Sequence, residues 1–129
     1  MVHVGYVGLG AMGGLMAERL MAKGHRVTGY NRTKAKAQWL IDQGMAWGDS
    51  PRAVAAAADT TFVMVTNSAA LEAVAGGADG LLAGLTAGKL LIDMSTVSPA
   101  VSRAMASKVR ELGADMVDAP VSGSVITLK

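Results

Sequence analysis

Short apolar runs alternate with stretches of helical periodicity along the whole chain. HVGYV at residues 3–7 is brief, apolar and closed by glycines, as a buried strand is. From residue 11 to 23, Leu15, Met16, Leu20 and Met21 recur at helical spacing, Lys23 stands in the last turn, and Gly24 is placed to end the helix. RVTGY at 26–30 predicts a second strand. Thr33 is positioned to cap a helix running to about Gln43, with Gly44 behind it and with Trp39 and Leu40 facing the sheet. Residues 45–47 suggest a third strand. Ser50-Pro51 then supplies a capping hydroxyl and a proline at the first helical position for an Ala-rich helix through residue 58.

The alternation continues with TTFVMV at 60–65, continuous, apolar and β-branched, ending at Thr66-Asn67-Ser68. Residues 69–83 have a helical pattern interrupted by Gly76, Gly77 and Gly80, which predicts two short helices. LLIDM at 90–94 is a fifth strand. Ser98-Pro99 repeats the earlier capping device and opens a helix to about Leu112, closed by Gly113, and residues 116–119 give a sixth strand ending at Pro120. Strands alternating with helices in this way predict an α/β fold: one doubly wound parallel sheet with right-handed crossovers and strand order 3-2-1-4-5-6. Ligands of such sheets bind beyond the carboxyl ends of the strands, near the point where the order reverses. Those ends are the loops at Gly8, Asn31, Thr66, Ser95 and Ser122.

Composition narrows the function classes. A chain of 129 residues is one domain, residues 1–129, long enough to bury roughly two-thirds of its unfolded surface. Hydrophobic residues make up 51%, but with two Trp, two Tyr and one Phe the core must be mainly aliphatic. The net charge of +2 comes without any basic run, so nucleic-acid binding is not expected. Absence of cysteine excludes disulfides and thiolate metal sites, and two histidines, His3 and His25, are too few for a metal cluster. No apolar stretch reaches the roughly 20 residues of a spanning helix, and the start has no cationic segment followed by an apolar one. The expectation is a cytoplasmic protein with no membrane partner.

The first loop carries chemistry. Gly8-Leu9-Gly10-Ala11-Met12-Gly13 is GxGxxG between a predicted strand and a predicted helix, the context in which the pattern binds a dinucleotide. The first glycine permits the turn, the second lets backbone approach a pyrophosphate, and the third lets helix and strand pack closely, leaving the anion at the helix amino end. The fold expected is therefore a Rossmann domain. At the end of the second strand an NAD site wants an acid for the ribose hydroxyls; this chain has Asn31-Arg32-Thr33. A guanidinium can bond a 2′-phosphate in bidentate fashion, and Thr33 can add a hydroxyl and its amide. One charge-assisted bond of about 1.5 to 3 kcal/mol predicts at least about a tenfold preference for NADP over NAD. The competing reading makes Arg32 a solvated surface charge and Thr33 only a cap.

With these residues in view the whole chain resembles a known family. GLGAMGGLMAERLMAKGHRVTGYNRT, then DMSTVSP at 93–99, then DAPVSGS at 118–124, look like successive signatures of the β-hydroxyacid dehydrogenases, the group of 3-hydroxyisobutyrate dehydrogenase, tartronate semialdehyde reductase and the glyoxylate/succinic semialdehyde reductases. The resemblance implies that Val65, Thr66 and Asn67 line the adenine and ribose side of the cofactor and that Thr96 lies near the nicotinamide ribose. It implies that Ser122, Gly123 and Ser124 hold a small substrate carboxylate; Ser124 replaces a glycine usual in the family. Ser95, Thr96 and Ser98 could instead serve only turns and caps.

The family's general acid and base, a lysine, comes from a C-terminal all-helical domain that these 129 residues lack, so no catalytic residue is assigned and Lys129 is not given the role. The expectation is an NADP-binding domain of a hydride-transferring oxidoreductase that binds cofactor with little or no turnover. The complete enzyme is expected to be a homodimer or tetramer, and assembly of this chain is left open. The alternative is a non-catalytic NADP-binding module acting with a partner. A methyltransferase also uses a glycine-rich turn, but Asn31-Arg32 stands where its acidic ribose ligand would be wanted.

Overall fold

The computed structural model describes residues 3–9, 11–65, 67–95 and 98–118. Strands β1 (His3–Val7), β2 (Arg26–Tyr30), β3 (Ala46–Trp47), β4 (Thr60–Val63), β5 (Leu90–Asp93) and β6 (Asp115–Asp118) form one sheet in the order β3-β2-β1-β4-β5-β6. Every pairing is parallel, with Val4 opposite both Val27 and Thr60. The order reverses between β1 and β4, as the alternation of strand and helix patterns predicts.

Successive residues of β1 feed opposite faces, as the two-residue period of a strand requires. Tyr6 joins a core with Leu9, Ala17, Val27, Leu40 and Met45, beneath α1 (Ala11–Ala22) and α2 (Gln38–Ile41). Val7 joins the other core, with Val63 and Leu91 from the sheet. Val54 of α3 (Pro51–Ala57), Leu71 of α4 (Ser68–Ala75), Leu81 of α5 (Leu81–Gly84) and Val109 of α6 (Pro99–Glu111) complete it. Both Ser-Pro signals act as the sequence predicts: Ser50 Oγ accepts from Ala53 N at 3.1 Å and Ser98 Oγ from Val101 N at 3.3 Å.

The segment after β2 departs from expectation. In place of one helix from Thr33 to about Gln43, a 3₁₀ turn (Lys34–Ala37) leads into the four-residue α2, and the Thr33 side chain makes no cap. The Thr33 carbonyl instead accepts from Lys36 N at 3.1 Å, which closes the tighter turn, and from Asn31 Nδ2 at 3.1 Å. The altered phase turns Leu40 inward and leaves Trp39 39% exposed, correcting the expectation that both face the sheet. Trp39 lies against α1 at Gly14, where an added Cβ would stand 2.9 Å from its Cζ2.

At the amino end of β1, away from the switch-point loops, His3 Nε2 is 2.7 Å from Thr28 Oγ1. Burial, then the nearby Arg26 and Lys89 charges, lower its pKa from 6.5 against the opposing pull of Asp59. The folded state thus binds the His3 proton less readily than the unfolded chain does. Its contribution is present above pH 6.5 and is lost as pH falls through the lowered folded value. Urea midpoints at pH 7.5 and 5.5 should fall more for the wild type than for His3→Gln; equal falls would exclude this linkage.

Candidate functional site

The loops at the switch point enclose one cavity of about 720 Å³. Gly8 after β1, Asn31 and Arg32 after β2, and Met64 and Val65 after β4 line it, together with Tyr30, Asp49, Ala70, Val74 and Asp79. Its size and its mixture of apolar surface with a few polar groups suit a nucleotide half rather than a single ion.

Gly8 makes the inner corner. Its φ of +96° is one that side chains rarely adopt, and a Cβ there would fall 1.9 Å from the Met64 carbonyl oxygen. The β1 loop therefore crosses directly against the end of β4. A Cβ on Gly13 would lie 2.4 Å from the Gly8 carbonyl oxygen, so the start of α1 is packed onto the turn as closely as backbone permits. The first and third glycines have the steric roles that a dinucleotide turn requires, and the residues present fit such a cofactor.

The turn's own amides are divided. Gly8 N donates to the Tyr30 carbonyl at 3.0 Å and Leu9 N to Asn31 Oδ1 at 3.0 Å, so both face β2. An anion must be met further along, at the amino end of α1. Leu9 adds no side chain to the cavity, being 2% exposed within the core. Arg32 is exposed, lines the cavity and has no ion-pair partner among the described residues, which leaves its guanidinium available to a ligand.

The β4 and β5 ends are tied together from below. Asp93, fully buried, accepts from Ser95 N at 2.9 Å through Oδ1, and Ser95 Oγ accepts from Val65 N at 2.8 Å. Sequence reasoning did not single out this pair for positioning, although an acid inside the run LLIDM is itself a signal, because a buried carboxylate needs donors. Asn67 caps α4, its Oδ1 accepting from Ala70 N at 2.8 Å, and Ser98 N donates to Ser68 Oγ at 3.2 Å, joining the starts of α6 and α4.

Of the residues expected to hold cofactor, Gly8, Asn31, Arg32 and Val65 share the cavity, while Leu9, Gly13, Thr33 and Asn67 stand beside it in supporting positions. Ala11 and Met12 are the first residues of α1. Gly10, Thr66, Thr96, Ser122, Gly123 and Ser124 lie outside the described residues. Tyr30, Asp49 and Asp79 were not anticipated; Tyr30 is the last residue of β2, beside Asn31, while Asp49 and Asp79 come from other loops, which spacing along the chain does not reveal.

Comparison with known proteins gives the site a setting. The profile of the NAD-binding domain of 6-phosphogluconate dehydrogenase matches residues 3–129. The chloroplastic glyoxylate/succinic semialdehyde reductase 2 of Arabidopsis thaliana is 39% identical over 123 residues, covering 95% of this chain and 34% of that protein. Human mitochondrial 3-hydroxyisobutyrate dehydrogenase is 42% identical over 123 residues, covering 95% of this chain and 36% of its own length. Among solved structures, Psf3 in complex with NADP+ and 2-OPP superposes with a TM-score of 0.89 at 36% identity, over 95% of this chain and 44% of that one. The chain spans about a third of the length of these two curated relatives, corresponding to their N-terminal part.

Proposed function

Because the chain belongs to the NAD-binding domain family of 6-phosphogluconate dehydrogenase and the β-hydroxyacid dehydrogenases, we propose that its switch-point cavity binds NADP in preference to NAD. In this reading it is the cofactor-binding part of an oxidoreductase acting on a small β-hydroxyacid or semialdehyde. The observation that carries the preference is Arg32, exposed on the cavity wall where an NAD site would present an acid. The NADP+ bound by Psf3, a structural neighbour, supports the same choice.

The bound cofactor would supply or accept hydride at its nicotinamide. The chain's own residues bind and orient it: the Gly8 turn and the start of α1 receive the pyrophosphate, Val65 and Val74 offer apolar surface to the adenosine, and Arg32 meets the 2′-phosphate. Since no residue here is assigned as general acid or base, and loss of such a group typically costs about 10²- to 10⁴-fold, we expect binding with little or no reduction of glyoxylate or succinic semialdehyde by this chain. The substrate carboxylate, the homodimer or tetramer of a complete enzyme and a cytoplasmic setting belong to the same proposal.

Titration with NADPH and NADH tests the reading. Trp47 is a suitable reporter, its ring 5.8 Å from that of Tyr30 on the cavity wall. NADPH is expected to bind at least about ten times more tightly, the worth of one charge-assisted bond. Equal dissociation constants would remove the NADP preference, and binding of neither nucleotide would remove the cofactor reading itself.

A further inference from the structure

We propose that Asn31 is a positioning residue that sets the pyrophosphate turn and the 2′-phosphate loop in one fixed geometry, so that it governs affinity for both nicotinamide dinucleotides and not only for the phosphorylated one. The inference rests on the cofactor reading given above. Its basis is the opposite use of the two ends of one side-chain amide. Oδ1 accepts from Leu9 N at 3.0 Å, inside the glycine-rich turn, and Nδ2 donates to the Thr33 carbonyl at 3.1 Å, in the loop that carries Arg32.

Each bond fixes one of the two loops. Leu9 is the second residue of the turn, and its side chain is anchored in the core, so its amide fixes how the turn leaves β1. The Thr33 carbonyl also accepts from Lys36 N at 3.1 Å, so the Asn31 bond places the start of the 3₁₀ turn that follows Arg32. A primary amide is the group that meets both demands at once, since it carries an acceptor and donors on one rigid plane. A carboxylate could accept from Leu9 but could not donate to Thr33. Alanine can do neither. With its acceptor and a donor engaged within the protein, Asn31 acts on the ligand through the two loops it holds.

This separates Asn31 from a direct 2′-phosphate ligand, whose loss leaves NADH untouched. In the full chain, Asn31→Ala is expected to weaken NADH by about three- to tenfold, the effect of one or two lost neutral hydrogen bonds, and NADPH by at least as much. Asn31→Asp, which keeps the acceptor for Leu9, should restore NADH to within about twofold of wild type while NADPH stays more than about tenfold weaker. Hydrogen exchange without nucleotide gives an independent readout: the Leu9 amide should exchange faster in Asn31→Ala and at the wild-type rate in Asn31→Asp. Unchanged NADH affinity in Asn31→Ala overturns the proposal, whether NADPH falls or only thermal stability does. Failure of Asn31→Asp to restore NADH binding or Leu9 protection overturns it as well. Wild-type protein that binds neither nucleotide while Leu9 exchange follows the expected pattern overturns the cofactor reading but leaves the clamp between the two loops established.

Discussion

Gly8→Ala is expected to abolish nucleotide binding and to destabilise the domain by about 3 kcal/mol or more, a large share of the 5–15 kcal/mol that holds a typical domain folded. Two costs fall on the same atom. The φ of +96° is strained for any side chain, and the new Cβ would stand 1.9 Å from the Met64 carbonyl oxygen. That neighbour is backbone, and it cannot swing aside: Met64 N is held by the Val7 carbonyl at 2.9 Å and Val65 N by Ser95 Oγ at 2.8 Å. Relief requires moving the β1 loop away from β4, which opens the corner of the cavity where the phosphates would lie. Gly24→Ala is the matched control, because Gly24 has a φ of +89° but nothing within 4 Å of its added Cβ. It should cost only about 1 kcal/mol and leave affinity unchanged. Urea denaturation and NADPH titration of the two variants check both parts. A Gly8→Ala protein that binds like wild type would show that the turn can move without consequence.

The contrast between those two glycines also indicates what the sequence could and could not reveal. Gly24 ends a helix and Gly8 ends a strand, and both places are visible from the periodicity on either side of them. The caps at Ser50 and Ser98 were legible for the same reason: each contact spans three residues, and the proline beside it fixes the backbone locally. Strand order followed from alternation and crossover handedness, neither of which depends on individual side chains.

Legibility ended where a side chain has a choice of partners. Thr33 is a good cap by type, but Asn31 engages its carbonyl and the chain begins a 3₁₀ turn, which rotates Trp39 outward. Leu9 belongs to the glycine motif, yet its amide goes to a side chain 22 positions away. Asp93 and Ser95 share a stretch that suggested cofactor contact, and the structure shows them joining two strand ends from beneath, across 30 residues between Ser95 and Val65. Local pattern thus located the cavity, and long-range hydrogen bonding determines which residues face it and which hold it in shape.

Arg32 is the residue at which the sequence reading and the cavity can be tested most sharply. Arg32→Ala is expected to weaken NADPH by about 10- to 100-fold, corresponding to loss of a charge-assisted bond of about 1.5 to 3 kcal/mol, and to change NADH by less than about twofold. The fold should not register the change, since surface substitutions without partners usually lie within about 0.5 kcal/mol and Arg32 is exposed with no ion pair among the described residues. The loss should sit toward the upper end of the range. Asp49 and Asp79 line the same cavity, so without the guanidinium its remaining charged lining would be acidic and would oppose a 2′-phosphate bound there. Arg32→Lys keeps the charge without the planar fork and should fall between the two proteins. Raising the salt concentration should weaken NADPH binding to wild type more than to Arg32→Ala, because the proposed pair would form at an exposed guanidinium and be screened. Equal losses for NADPH and NADH would assign Arg32 to the shape of the loop, whereas no loss for either would return it to the solvated surface and leave the cavity without a basis for preferring the phosphorylated cofactor.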